Sequence, residues 1–150
     1  CDGSLETIRL NFPLSRKIKI ARQLASGLAV MEEKQIVHCG IFPSAVLVRF
    51  NKNGDEAFLS NFRYAHRLDS PPAVLSIPRK WKDRFAPPEG KLSHPFAVPI
   101  YQLGRCFELL FGDEPSVAPI LKGMLEPNPE LRWSIARVMA AVDEWKEPEM

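Results

Sequence analysis

His38 and Cys39 stand side by side in the run Ile36-Val37-His38-Cys39-Gly40-Ile41-Phe42-Pro43-Ser44-Ala45-Val46-Leu47-Val48, with Leu59-Ser60-Asn61-Phe62-Arg63 a short polar stretch further on. An imidazole beside a thiol is the raw material of a nucleophilic pair, because a base that takes the thiol proton leaves a thiolate. Adjacent loop residues seldom face each other, and no third group is placed to orient the ring, so a Cys/His nucleophile finds little support. Zinc chemistry finds no support either. Cys1, Cys39 and Cys106 are far apart, with no C-x-x-C and no Cys/His cluster at ligand spacing. No G-x-S-x-G, H-E-x-x-H, P-loop or EF-hand pattern is present.

The elements that must position this stretch read as follows. Ser15 is a candidate N-cap for a helix reaching about Lys34, with Ile18, Ala21, Leu24, Ala25, Leu28 and Met31 at helical spacing. Gly27 inside it weakens the helix and predicts close helix packing there. Val46–Phe50 and Ala57–Leu59, joined by Asn51-Lys52-Asn53-Gly54-Asp55, read as a hairpin, which is marginal alone and must pack on helices. Ile100 to Phe111 carries a wide apolar face and reads as a central buried helix, and Ser134 caps a last helix through about Trp145.

Composition sets the outer limits. A chain of 150 residues is about one domain. With 45% hydrophobic and 25% charged residues it has the makings of a packed core. The net charge of +2, with both signs interleaved, argues against a nucleic-acid footprint. Three scattered cysteines fit a reducing compartment, cytoplasmic or nuclear. No apolar run approaches the ~18 residues of a membrane span, so no membrane partner is expected. Because Cys1 rather than Met opens the chain, a segment of something longer is expected. Most of its fourteen prolines fall between Pro71 and Pro129, which predicts irregular connections there.

The two opening motifs together resemble a protein-kinase catalytic loop, I-V-H-R-D-I-K-P-S-N-V-L-V, followed by the magnesium loop L-S-D-F-G. In that family the loop aspartate accepts the substrate hydroxyl proton, the asparagine and second aspartate hold magnesium, and the glycine turns the backbone at the phosphates. Those positions here are Gly40, Ala45, Asn61 and Arg63, while Phe42 stands for the loop lysine and Cys39 for the arginine. The resemblance implies a mainly helical α+β fold, the large C-terminal lobe of a pseudokinase with a small hairpin, closest to the tyrosine-kinase-like and receptor-like branches. Cys1-Asp2-Gly3-Ser4-Leu5-Glu6 resembles the segment after the hinge between lobes, and no small-lobe glycine loop, strand lysine or partner glutamate helix accompanies it.

The rest of the chain continues the resemblance to about Trp145, as one domain. Asn61 to Glu89 resembles an activation segment ending in Ala-Pro-Glu, here Ala86-Pro87-Pro88-Glu89, and Pro78-Arg79-Lys80-Trp81 is similar to the turn of the tyrosine-kinase-like branch. Ser60, Ser70 and Ser76 are candidate phosphorylation sites, set against the ordinary reading of loop serines. Pro99 stands where the family has an aspartate that caps the catalytic-loop backbone, so another brace is required. Only Asp113-Glu114-Pro115 follows the central helix and Gly112, which implies deletion of the family's substrate-docking helix. Leu125-Glu126-Pro127-Asn128-Pro129-Glu130-Leu131-Arg132-Trp133-Ser134 resembles the M-L-x-x-D-P-x-x-R-x-S tail. The comparison pairs Glu89 with Arg132 in a buried ion pair, a role that suits the planar guanidinium fork.

The implied function is a non-catalytic interaction module that regulates or scaffolds a signalling partner, with an active kinase or a missing small lobe as candidate partners. No cofactor or metal is expected, since Ala45 and Asn61 cannot replace the acidic and amide ligands. Arg63 either fills the vacant nucleotide or metal site by pairing with a carboxylate or is simply solvated. Phe42 and Phe62 read as core fillers, and the resemblance implies that His38 is a scaffold histidine bonding backbone near the magnesium loop. Phe42, Ala45, Val46 and the hairpin are expected to lack cover where a small lobe would sit, leaving an apolar partner surface. Two alternatives remain: a nucleotide-sensing domain that binds ATP weakly without metal, and an enzyme of non-standard chemistry.

Overall fold

Leu14–Glu33 forms α1, the longest helix of the computed structural model, which describes residues 3–7, 13–52, 54–67, 82–89 and 94–145. The buried residues of α1 are Ile18, Ile20, Ala21, Leu24, Ala25, Leu28 and Met31, an apolar stripe at helical spacing. Its start differs from the expected cap at Ser15. Pro13 occupies the N-cap, and its carbonyl accepts from the Arg16 and Lys17 amides at 3.1 and 3.2 Å. Proline suits this place because its fixed φ leads into the helix. Gly27 is exposed, and a Cβ there would meet nothing within 4 Å, so the expected close helix packing is absent. The stripe that packs on the rest of the fold lies elsewhere on the helix.

Two small antiparallel sheets flank α1. In one, β1 (Gly3–Ser4), β3 (Val46–Arg49) and β4 (Glu56–Leu59) run in the order β1-β3-β4, with Val46 opposite Leu59 and Val48 opposite Ala57. The hairpin thus forms over the residues its alternation predicts, and β1 adds a third strand. In the other, β2 (Ile36–Val37) pairs with β5 (His66–Arg67). Two polar clamps fix the hairpin to α1. Gln23 Nε2 donates to Asp55 O and Gln23 Oε1 accepts from Ala57 N, both at 2.7 Å. Arg16 grips Asp55 through Nε at 2.7 Å and Nη2 at 2.9 Å, holding that carboxyl below its ordinary pKa.

After the short helix α2 (Lys82–Phe85) come α3 (Ala97–Phe111), α4 (Ala118–Met124) and α5 (Ile135–Glu144). The central helix α3 begins one turn earlier than its apolar face implies, with Pro99 in the first turn, and Val98, Ile100, Leu103, Cys106, Phe107 and Leu110 are all buried. It stops at Gly112, whose φ of 57° is the left-handed geometry that glycine adopts freely. Glu114 caps a single 3-10 turn, Pro115–Val117, which leads straight into α4, so no helix intervenes where the docking helix would be. Ser134 caps α5 by accepting from the Arg137 amide, and the helix ends at Glu144 with Trp145 as its C-cap.

Candidate functional site

The loop between β2 and β3 is held by its own histidine. The Gly40 amide donates to His38 Nδ1 at 3.1 Å, which leaves the ring hydrogen on Nε2 to bond Ser60 O at 2.9 Å. The imidazole is wholly buried, and burial lowers its pKa. It therefore ties this loop to the backbone just before Asn61 as a neutral ring. Ser60 returns the tie: its amide and hydroxyl both donate to Ala45 O, at 2.8 and 2.9 Å. That candidate phosphorylation hydroxyl is thus engaged, while Ser70, Ser76, the Pro78–Trp81 turn and Cys1 lie outside the described residues.

The Cys39 thiol is buried and pushed up to about 12 by desolvation, which argues against a nucleophilic pair. Cys106 is likewise buried, burial raises its pKa, and its Sγ lies 3.6 Å from Ile41 O.

Gly40 sits beneath the Tyr64 ring, where an added Cβ would come within 2.8 Å of Cδ2. Tyr64 in turn meets Phe42 edge-on at 5.9 Å, and Phe42 meets Phe85 at 6.0 Å. Phe42, Ala45 and Val46 are almost completely buried, contrary to the expectation that they would lie uncovered. The hairpin's inward face and these rings cover them from within the lobe. Among the described residues the exposed aromatics are Phe58 and Phe62, and Phe62 is 55% exposed. Phe62 is thus no core filler; its ring leans on His38 at 5.2 Å.

Asn61 is exposed and left-handed, with φ 55° and ψ 70°, a conformation asparagine tolerates better than most residues. Arg63 is also exposed, 6.0 Å from the Tyr64 ring centroid, and pairs with no carboxylate among the described residues. No group of three or more His, Cys, Asp or Glu among the described residues is placed to hold a metal ion.

The brace that Pro99 cannot supply comes from Gln102, a residue that no sequence motif singles out. Its Oε1 accepts from Ile41 N at 3.1 Å, and its Nε2 donates to Cys39 O at 3.0 Å and Phe85 O at 3.4 Å. An amide placed within an apolar helix face, where it is fully buried, was the available signal.

Glu89 and Arg132 meet through paired hydrogen bonds of 2.7 and 2.8 Å. Carbonyls of Glu126, Ala97 and Pro127 take the remaining donors, so all five N–H groups of the guanidinium are occupied and its side chain has 0% exposure. Burial without an orphaned donor is what makes such a charge tolerable. The cluster joins the end of the segment before α3 to the turn before α5.

No protein-family model matches the chain, and no curated protein matches it in sequence. Among solved structures it is similar to the kinase domain of a Toxoplasma gondii specific rhoptry antigen, with a TM-score of 0.70 and 19% identity over 86% of this chain and 44% of that one. The chain therefore spans less than half the length of that structure. Its fold is that of a protein-kinase-like C-terminal lobe, and the described residues include no small-lobe element. None of its described helices is long and apolar enough to cross a membrane.

Proposed function

We propose that the chain is a catalytically inactive kinase-like lobe, a pseudokinase of tyrosine-kinase-like flavour, acting as a protein interaction module that regulates or scaffolds a signalling partner such as an active kinase. The observation that carries this reading is the Tyr64 ring over Gly40, which occupies the space a catalytic carboxylate would need. Magnesium-nucleotide does not fit the neighbouring residues. Ala45 offers only a buried methyl, Asn61 a single exposed amide, and Arg63 an exposed cation in place of the family's glycine. Phosphoryl transfer relies on metal ions to neutralise developing charge, and these three side chains supply no carboxylate to hold one. The exposed Phe58 and Phe62 rings, on β4 and the turn after it, support a contact surface in place of a reaction centre.

Thermal unfolding with ATP, with and without magnesium, tests the proposal. The expected result is no magnesium-dependent stabilisation and no transfer of labelled phosphate to protein. A magnesium-dependent rise of several degrees would overturn it, because ligand binding to the folded state must stabilise it.

A further inference from the structure

A cavity of about 360 Å³ opens between the end of α1, the turn into α3 and the turn into α5. Its walls are largely apolar, formed by Pro95, Phe96, Pro129, Trp133 and Ile135, and Glu32 also lines it. Pockets for small ligands span roughly 300–1,000 Å³, so one long side chain fits with room for the residue that carries it.

The charges around the cavity are unevenly satisfied. Arg132 also lines it, but all five of its donors are already used. His94 lies 3.7 Å from Glu130. Glu32 has no ion pair among the described residues, and burial raises its pKa. Glu32 is half-buried, and a carboxylate partly drawn out of water without a cation carries a cost that a cationic ligand would relieve. The start of α5, at Ser134, carries about half a positive charge, less than the full charge of Glu32 opposing it.

We infer that this cavity is a docking site for an arginine or lysine side chain of a partner polypeptide, its charged head on Glu32 and its methylene stem against Phe96, Trp133 and Ile135. Such side chains lay an apolar stem along apolar walls while the head stays paired. The source of the cation rests on the interaction-module reading; the site chemistry does not.

The test is NMR titration of the whole chain with Nα-acetyl-arginine and Nα-acetyl-lysine N-methylamides, against the norleucine analogue, which keeps the stem and lacks the charge. Shifts centred on Glu32, Phe96 and Trp133, about tenfold tighter for the cations than for norleucine and about tenfold weaker in Glu32→Gln, are expected. Equal binding of norleucine, shifts centred elsewhere, an unaffected Glu32→Gln variant or no binding by any probe would overturn the inference. The cation and norleucine arms need no variant, so poor folding of Glu32→Gln leaves the test intact. Magnesium-dependent ATP binding would remove the module reading and leave the probe result standing, so the two failures are distinct.

Discussion

The Tyr64 side chain closes over Gly40 so tightly that a Cβ at that position would stand 2.8 Å from one ring carbon and 3.2 Å from Tyr64 Cβ. The demand for glycine comes from this neighbour, since Gly40 is not among the positive-φ residues. Restoring a carboxylate by Gly40→Asp is therefore expected to destabilise the fold by about 1–3 kcal/mol, the usual range for overpacking, without restoring phosphoryl transfer. Adding Tyr64→Ala should recover part of that loss. Urea unfolding of the single and double variants checks both claims, and additive losses would refute the contact.

Arg132 is expected to be among the least replaceable side chains. Arg132→Met strands the Glu89 carboxylate, which is 9% exposed, and should cost about 3–5 kcal/mol. Glu89→Gln keeps a hydrogen-bonding partner but leaves the buried guanidinium uncompensated, so it should also destabilise. The Arg132→Met, Glu89→Leu double variant is expected to lose clearly less than the sum of its singles. Denaturant midpoints decide it.

What the sequence made legible was whatever local pattern controls. The hairpin follows from alternation and its turn residues, the Ser134 cap from residue type and position, and the short join after Gly112 from counting. The brace at Gln102 was not legible, because its partners lie 61 and 63 residues away. Gly27 misled because a glycine looks the same whether it faces a helix or water. Phe62 misled because an apolar side chain does not have to be inside. The Tyr64 plug depends on two segments meeting in space, which no spacing rule announces.

Gln102 offers a direct test of the brace. Gln102→Leu keeps the helix face apolar but leaves the Ile41 amide and the Cys39 carbonyl without their partner. Each orphaned buried group costs roughly 1–3 kcal/mol. The variant should therefore fall in stability, and the Ile41 amide should exchange with solvent faster than amides of α1. Unchanged exchange at Ile41 would mean that the loop holds itself.

His38 should make stability depend on pH in a stated direction. In the fold its Nδ1 accepts from Gly40 and its Nε2 donates to Ser60, so a second ring proton would break the Gly40 bond and leave a charge buried. Burial accordingly lowers its pKa below the ordinary value of about 6.5. Below that value the unfolded chain takes up a proton that the folded chain refuses, so the contribution of His38 is full above about pH 6.5 and declines as pH falls. The slope approaches about 1.4 kcal/mol per pH unit until the folded-state pKa is reached. Urea unfolding from about pH 7.5 down to about pH 5.5 should show a decline that flattens in His38→Gln, a variant that starts less stable. Parallel profiles for the two proteins would assign the slope to other groups and rule out a neutral, doubly bonded ring as the tie that holds this loop.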